Sequence, residues 1–172
     1  MTSHPRLKHP LWKLFFVCPQ TVPPGSNTLR VSGDNNFKLY LDGVLRSTGN
    51  QWWRVVTTPL PDWVGVVAIE ADKAAMSNGG IIASDLAGQL WTNTSWRCSN
   101  TYLAGWMGAG FNISASPSFM AAYIGANNNG ELWETLSQIG NKASWIWTSR
   151  IDYNSYTMNA TGYCRISLSK CN

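Results

Sequence analysis

The segment SGDNNFKLYLDG at 32–43 contains three adjacent polar residues, Asp34, Asn35 and Asn36. Carboxylate and amide oxygens clustered on a loop are the ligands that Ca²⁺ takes from proteins. Asp and Asn also favour turns, because their side chains bond to the nearby backbone and tolerate positive φ. The triplet therefore predicts either a plain turn or a calcium site, with Asp34 and Asn35 as the metal ligands and Asn36 as a turn residue.

Aromatic side chains are the second source of chemistry, since the chain holds 10 Trp and 6 Tyr. A pyranose stacks its C–H face on an aromatic ring, while Asp and Asn bond to its hydroxyls. Most of the tryptophans are expected in the core, and one of Trp145 and Trp147 should face in. Trp52 and Trp53 are adjacent, so on a strand they would point to opposite faces. One of that pair is expected to be buried and the other available for stacking.

Catalytic constellations are excluded more sharply than binding sites. Both histidines, His4 and His9, lie in the amino-terminal segment, which makes a His-based triad implausible. The sequence has no G-x-S-x-G motif, no P-loop and no zinc-ligand spacing. A glycosidase would need two carboxylates, and nothing selects a pair among the nine acidic residues. We therefore expect no enzymatic activity.

Charge and hydropathy exclude two kinds of partner. The net charge is +4, but the basic residues are scattered and form no nucleic-acid footprint. No apolar stretch reaches the roughly 20 residues that a membrane helix needs. The beginning of the chain resembles a signal peptide poorly, because Lys13 interrupts its apolar run. We expect neither nucleic-acid binding nor a membrane span.

Four cysteines indicate the redox compartment, and they are Cys18, Cys98, Cys164 and Cys171. An even count in a Trp-rich chain of low charge suits two disulfides, with three possible pairings. Cys164 and Cys171 are close enough in sequence to close a small loop, and Cys18 would then pair with Cys98. Four free thiols in a cytosolic protein are the alternative.

Three Asn-X-Ser/Thr triplets also point to secretion, with Asn93, Asn112 and Asn159 as the glycosylation acceptors. Together with the cysteines, they predict a secreted glycoprotein.

The elements that would position these residues are short strands. Charged residues make up 13% of the chain, about half the usual share of roughly 25%. No apolar spacing of three and four continues for a helix, whereas alternation and turn residues recur, with Asp42 and Gly43 as a hairpin turn. The segment 130–139 is expected to be a short helix or a turn. Strands are predicted at 28–32, 37–41, 52–60, 63–72, 79–83, 89–92, 121–126, 144–148 and 163–168.

This pattern predicts an all-β protein, a sandwich or barrel of antiparallel strands. Residues 1–27, rich in proline, are expected to be a leader or linker with room for one edge strand. Residues 28–172 are expected to form a single β-sandwich domain with a C-terminal extension.

The order of motifs strengthens the sandwich prediction. SGDNNFKLYLDGV is followed by QWWRVV, VGVVAIEADKAAMSNGGIIASDL, QLWTNTSWRCSN, AGWMG and ASWIWT. Over about residues 28–150 this order resembles a galactose-binding-domain-like jelly-roll sandwich. It is most similar to the lectins and carbohydrate-binding modules of that superfamily, including calcium-assisted rhamnose-binding modules.

The resemblance implies a set of binding residues. Asp34 and Asn35 would contact the sugar and, in some members, calcium, while Glu70 and Trp96 fall at further motif positions. A ring from Trp52 or Trp53 would supply the stacking wall. The chain has Asn93 where the family often has Asp, and a glycan on Asn93 would occupy that edge.

Three functions remain open at this point. The first is a secreted, non-enzymatic protein that binds galactose- or rhamnose-like glycans, weakly at each site and through several sites at once. The second is a structural or adhesive protein of an extracellular matrix, wall or coat. The third is the non-catalytic module of a glycoside hydrolase. Unpaired edge strands are compatible with a homo-oligomer in each case.

Overall fold

The computed structural model describes residues 27–74, 78–149 and 160–168. Over these ranges the regular structure consists of eleven strands and one short 3-10 turn at Ile113–Ala115. The strands are β1 (Thr28–Asp34), β2 (Asn36–Leu41), β3 (Val44–Gly49), β4 (Val56–Pro59), β5 (Val66–Lys73), β6 (Gly80–Asp85), β7 (Arg97–Ser99), β8 (Met120–Ala121), β9 (Tyr123–Asn127), β10 (Ser144–Trp147) and β11 (Ala160–Ser167).

The strands form two sheets. One has five strands in the order β4-β1-β6-β10-β9, and the other has six in the order β3-β2-β5-β11-β7-β8. Every pairing is antiparallel. The prediction of an all-β, two-sheet antiparallel sandwich is therefore confirmed, whereas the jelly-roll path stays a prediction.

The alternation of apolar residues places the main core between the sheets. On β2, Phe37, Leu39 and Leu41 face inward and are buried, as the sequence predicts. Strand β5 contributes the next inward row, and strands β1 and β6 contribute the facing layer. The residues of these rows are Val67, Ile69, Ala71, Leu29, Val31, Ile81 and Ala83.

A disulfide links two neighbouring strands of the six-stranded sheet, β7 and β11. Cys98 is bonded to Cys164, its register partner, so one expected disulfide is confirmed. The expected pairing of Cys164 with Cys171 and of Cys18 with Cys98 is wrong. Proximity in sequence misled here, because strand pairing brings together residues that are 66 positions apart. Cys18 and Cys171 lie outside the described residues, as do Asn159 and the segment 1–26.

Several local predictions differ from the structure. The strand predicted at 52–60 is a turn at Trp52 and Trp53 followed by the short strand β4. The polar strand β3 was not predicted, because its segment VLRSTG lies at an edge and shows no clear alternation. By contrast, the expectation of a short helix or a turn at 130–139 is confirmed in its second form, since the segment contains turns and bends.

One of Trp145 and Trp147 faces the core between the sheets, as expected, and both are buried. Residues two apart share a face on a regular strand, and the register shift between Trp145 and Ile146 interrupts this alternation. It lets Trp147 join the core between the sheets, while Trp145 packs in a second cluster with Trp133.

Loops also cover the outer face of the five-stranded sheet and part of the outer face of the six-stranded sheet. The loop 128–143 covers the five-stranded sheet with Trp133, Leu136 and Ile139. The loop 100–119 covers half of the six-stranded sheet, where Trp106 and Phe119 pack on its outward residues. The described loops do not pack on the other half of the six-stranded sheet, which is called the open half below. Over the described ranges, the structure contains no helix with the length and apolar character that crossing a membrane requires.

Candidate functional site

The open half of the six-stranded sheet carries a cleft of about 370 Å³. This volume lies within the range of small-molecule sites. Three strands and the residue that follows β3 form its walls. The lining residues are Asn36, Phe37, Lys38, Thr48, Gly49, Asn50, Glu70 and Asp72.

Strand periodicity explains why polar residues meet there. In a strand, successive side chains point to opposite faces. On β5, Ile69 and Ala71 are in the core, so Glu70 and Asp72 must point outward. On β2, the outward position opposite Glu70 is Lys38.

The register aligns these positions in two rows across the sheet. Asn36 lies opposite Asp72, which lies opposite Thr161 on β11. The next row runs from Thr48 through Lys38 and Glu70 to Tyr163, and then to Ser99. The two rows therefore give the cleft a floor of hydroxyl, amide, ammonium and carboxylate groups.

Glu70 is fully engaged within the cleft. Lys38 Nζ lies 2.8 Å from Glu70 Oε1, and the hydroxyl of Tyr40 donates to Glu70 Oε2 at 3.3 Å. The hydrogen bond and charge of Glu70 raise the pKa of Lys38 above its usual value, so the ammonium form is favoured. The pair therefore holds both side chains in a fixed position across β2 and β5.

Asp72 has a different environment. Its Oδ1 accepts a 2.8 Å hydrogen bond from the hydroxyl of Thr161. No Lys or Arg within 27–74, 78–149 or 160–168 forms an ion pair with it. The cleft thus contains one carboxylate that is paired with an ammonium and one without such a pairing among the described residues. Its lining carries a formal charge of −1, from two carboxylates and one ammonium.

Two tyrosines, Tyr40 and Tyr163, lie next to Glu70 but are not among the residues that line the cleft. Tyr163 lies opposite Glu70 on β11, and the ring of Tyr102 packs edge-on against it, with centroids 5.7 Å apart. Tyr102 is exposed, whereas Tyr40 and Tyr163 are partly buried. Burial, reinforced by the charge of Glu70, raises the pKa of both Tyr40 and Tyr163. Their hydroxyls are therefore protonated at neutral pH, and each can donate a hydrogen bond.

Asp34 lies away from this cleft, on the other sheet. It is 6% exposed at the end of β1, and its Oδ2 accepts a 3.0 Å hydrogen bond from Trp133 Nε1. Its peptide bond to Asn35 is cis. Asn36, two residues later, lines the cleft on the six-stranded sheet. The triplet thus does not form one site, because the chain crosses from one sheet to the other within it.

The calcium site at Asp34 and Asn35 stays a prediction, and the hydrogen bonds of both side chains give them a structural role. One oxygen of Asp34 accepts from Trp133, and Asn35 Oδ1 accepts a 2.9 Å hydrogen bond from the backbone N–H of Ala74. Within the ranges that the structure describes, no three His, Cys, Asp or Glu residues lie together as a group that could hold a metal ion. The two side chains act as acceptors for protein N–H groups.

The predicted tryptophans divide between surface and core. Trp53 is 57% exposed, while Trp52 is half-buried and its ring meets that of Trp53 edge-on. They lie in a turn, so the prediction that a strand separates them was wrong, although one is indeed the more accessible. Trp96 is fully buried and donates its indole N–H to the carbonyl of Trp91. Because both faces of its ring pack in the core, it has no surface for a sugar.

Sequence reasoning reached Glu70 but missed Asp72, Asn36, Lys38 and Thr48. The sequence does indicate Asp72, since the alternation of VVAIEAD sends Glu70 and Asp72 to the same face of β5. Lys38 could have been found in the same way, opposite the inward face of FKLYL. No comparable signal existed for Thr48, because strand β3 was not recognised.

Comparisons with known proteins give no match: no family model, no curated protein and no solved structure matches this chain.

Proposed function

We propose that this chain is a carbohydrate-binding protein of the lectin or glycan-binding-module type. The observation that carries the proposal is the cleft, whose lining presents oxygen and nitrogen groups from three neighbouring strands. Asp72 offers a carboxylate with accepting capacity beyond its Thr161 bond, and Lys38 and Asn36 offer donors. Vicinal hydroxyls of a pyranose donate and accept at such groups.

The charge of the cleft narrows the ligand class. Two carboxylates face one ammonium, so an anionic sugar would meet net repulsion. Neutral hexoses and 6-deoxyhexoses, such as galactose- or rhamnose-like sugars, carry hydroxyls without this penalty. We propose these neutral sugars as ligands and expect uronic acids to bind more weakly.

The proposed setting is extracellular. The disulfide Cys98–Cys164 is compatible with an oxidising compartment, and the two-sheet sandwich is compatible with the galactose-binding-domain-like family that the motifs resemble. The sugar site proposed here differs from the one that the resemblance implies, since only Glu70 belongs to both. We propose that this site binds without a metal, with Lys38 and Asn36 as hydrogen-bond donors to the sugar.

The affinity of one cleft is expected to be low. An open site for one sugar corresponds to a Kd between about 1 μM and 1 mM, or about −8 to −4 kcal/mol. Multivalent presentation would then raise the effective affinity without new contacts.

A panel of multivalent glycans tests this function. Neutral galactosides and rhamnosides should bind, glucuronides should bind less, and EDTA should change neither result. If no glycan binds even at high valency, the proposal is overturned. Cleavage of a bound glycoside would contradict the proposal that the protein is not an enzyme. Loss of binding on chelation would contradict the metal-free site.

A further inference from the structure

The chain contains a long segment without any ionisable Asp, Glu, Lys, Arg or His. It runs over residues 98–130 and includes β8 and β9. In a chain of net charge +4, this segment is the longest in which a surface can approach a copy of itself without like-charge repulsion between its own residues.

Strands β8 and β9, which belong to this uncharged segment, lie at one side of the sandwich. β8 ends the six-stranded sheet and β9 ends the five-stranded sheet, with the buried Ala122 between them. The two strands therefore form one flank at 120–127. Three of its apolar side chains are exposed: Met120 by 52%, Tyr123 by 43% and Ile124 by 47%.

The β9 edge lacks the features that usually protect an exposed strand. Within the described ranges, β9 pairs only with β10, which leaves its other side without a ladder. Natural edges are commonly guarded by charge or proline. The opposite edges of the two sheets follow this rule, with Pro59 in β4 and Arg46 in β3. Strand β9 (YIGAN) has neither.

We propose that β9 is a homodimer interface, in which the strand pairs antiparallel with β9 of a second copy. A two-fold axis places each edge against the same edge, so the backbone donors and acceptors of one copy meet those of the other. A charged edge would meet its own charge in this arrangement, whereas the neutral segment does not. Burial of Tyr123 and Ile124 against the second copy supplies the apolar contact.

The dimer leaves the cleft accessible. The cleft lies on β2, β3 and β5 of the six-stranded sheet, whereas the interface lies on β9 of the five-stranded sheet. The inference does not depend on what the cleft binds. If the cleft binds a sugar, each dimer presents two sites.

Analytical ultracentrifugation of the full chain tests the interface. The wild-type chain should sediment as a dimer, and Ile124→Lys should sediment as a monomer, because each copy would then bring an ammonium to the two-fold contact. Val44→Lys is the matched control, since Val44 is also an apolar residue on an edge strand and is 51% exposed. This control should remain a dimer.

A second variant protects the test against misfolding. Tyr123→Lys should also give a folded monomer, and circular dichroism should show the same β content as the wild type. A wild-type monomer at the highest soluble concentration would overturn the proposal, including the case in which another part of the same chain covers β9. Dimers that persist in both folded Lys variants would overturn it as well.

Discussion

The indole Nε1 of Trp133 donates a 3.0 Å hydrogen bond to Asp34 Oδ2, although the two residues are 99 positions apart in the chain. Trp133 also stacks on Trp145, with ring centroids 4.4 Å apart. The bond thereby fastens the loop 128–143 to the outer face of the five-stranded sheet. Asp34 is thus a structural residue that joins two distant segments.

Two substitutions of Asp34 should show how much of its contribution to stability comes from the hydrogen bond and how much from the charge. Asp34→Ala leaves the indole N–H of Trp133 without this acceptor and should lower the free energy of unfolding by about 1–3 kcal/mol. Asp34→Asn keeps an amide oxygen as the acceptor and should cost less. Urea denaturation followed by Trp fluorescence measures both, and equal losses in the two variants would contradict the role of the bond.

The pH dependence of stability gives a further prediction for Asp34. Burial raises the pKa of this carboxyl above its usual 3.8, and the Trp133 bond offsets only part of the shift. The folded state therefore holds the proton more tightly than the unfolded state does. The stability of the wild type relative to Asp34→Asn should rise as the pH falls through the raised pKa toward 3.8. A relative stability that falls over this range would contradict the raised pKa.

The disulfide between Cys98 and Cys164 should contribute strongly to stability. It joins β7 to β11 and closes a long loop, so its loss gives the unfolded chain more freedom. The double substitution of both cysteines by Ala should lower the free energy of unfolding by about 2–5 kcal/mol. Thermal unfolding without reductant would measure this, and a double variant as stable as the wild type would contradict the assignment.

The two described sequons should differ in glycosylation. Asn93 is half-buried, and its amide nitrogen donates to the carbonyl of Trp91 at 3.2 Å. Asn112 is exposed at the start of the 3-10 turn. Its side-chain oxygen accepts a hydrogen bond from the backbone N–H of Ala115. In a secretory expression host, Asn112→Gln should remove a glycan and Asn93→Gln should not. Mass spectrometry before and after glycosidase treatment decides, and a glycan on Asn93 alone would reverse the prediction.

The strands whose apolar and polar residues alternate regularly could be predicted from the sequence. Alternation in FKLYL and VVAIEAD located β2 and β5, the two strands that carry most of the cleft. The turn at Asp42 and Gly43 also follows from local preference, and positive φ at both residues agrees with it.

The remaining features depend on contacts that the sequence does not display. Asp34 looked like the edge of a ligand site because its partner, Trp133, lies far along the chain. Trp96 looked available by its place in a motif, but packing buries it. The cleft itself arises when register sets Lys38 against Glu70 and Asn36 against Asp72, and no short segment records that register.

Titration of the cleft with a neutral monosaccharide tests the central claim most directly. Asp72→Asn keeps an oxygen for Thr161 but removes the charge that the cleft offers to hydroxyls, so the affinity for the best-binding neutral sugar should fall about tenfold, or by ~1.4 kcal/mol. Asp62→Asn is the matched control, because Asp62 is exposed and outside the cleft. The account predicts weak wild-type binding, reduced by Asp72→Asn and unchanged by Asp62→Asn. Equal binding by all three proteins, or no binding at tens of millimolar sugar, would contradict it.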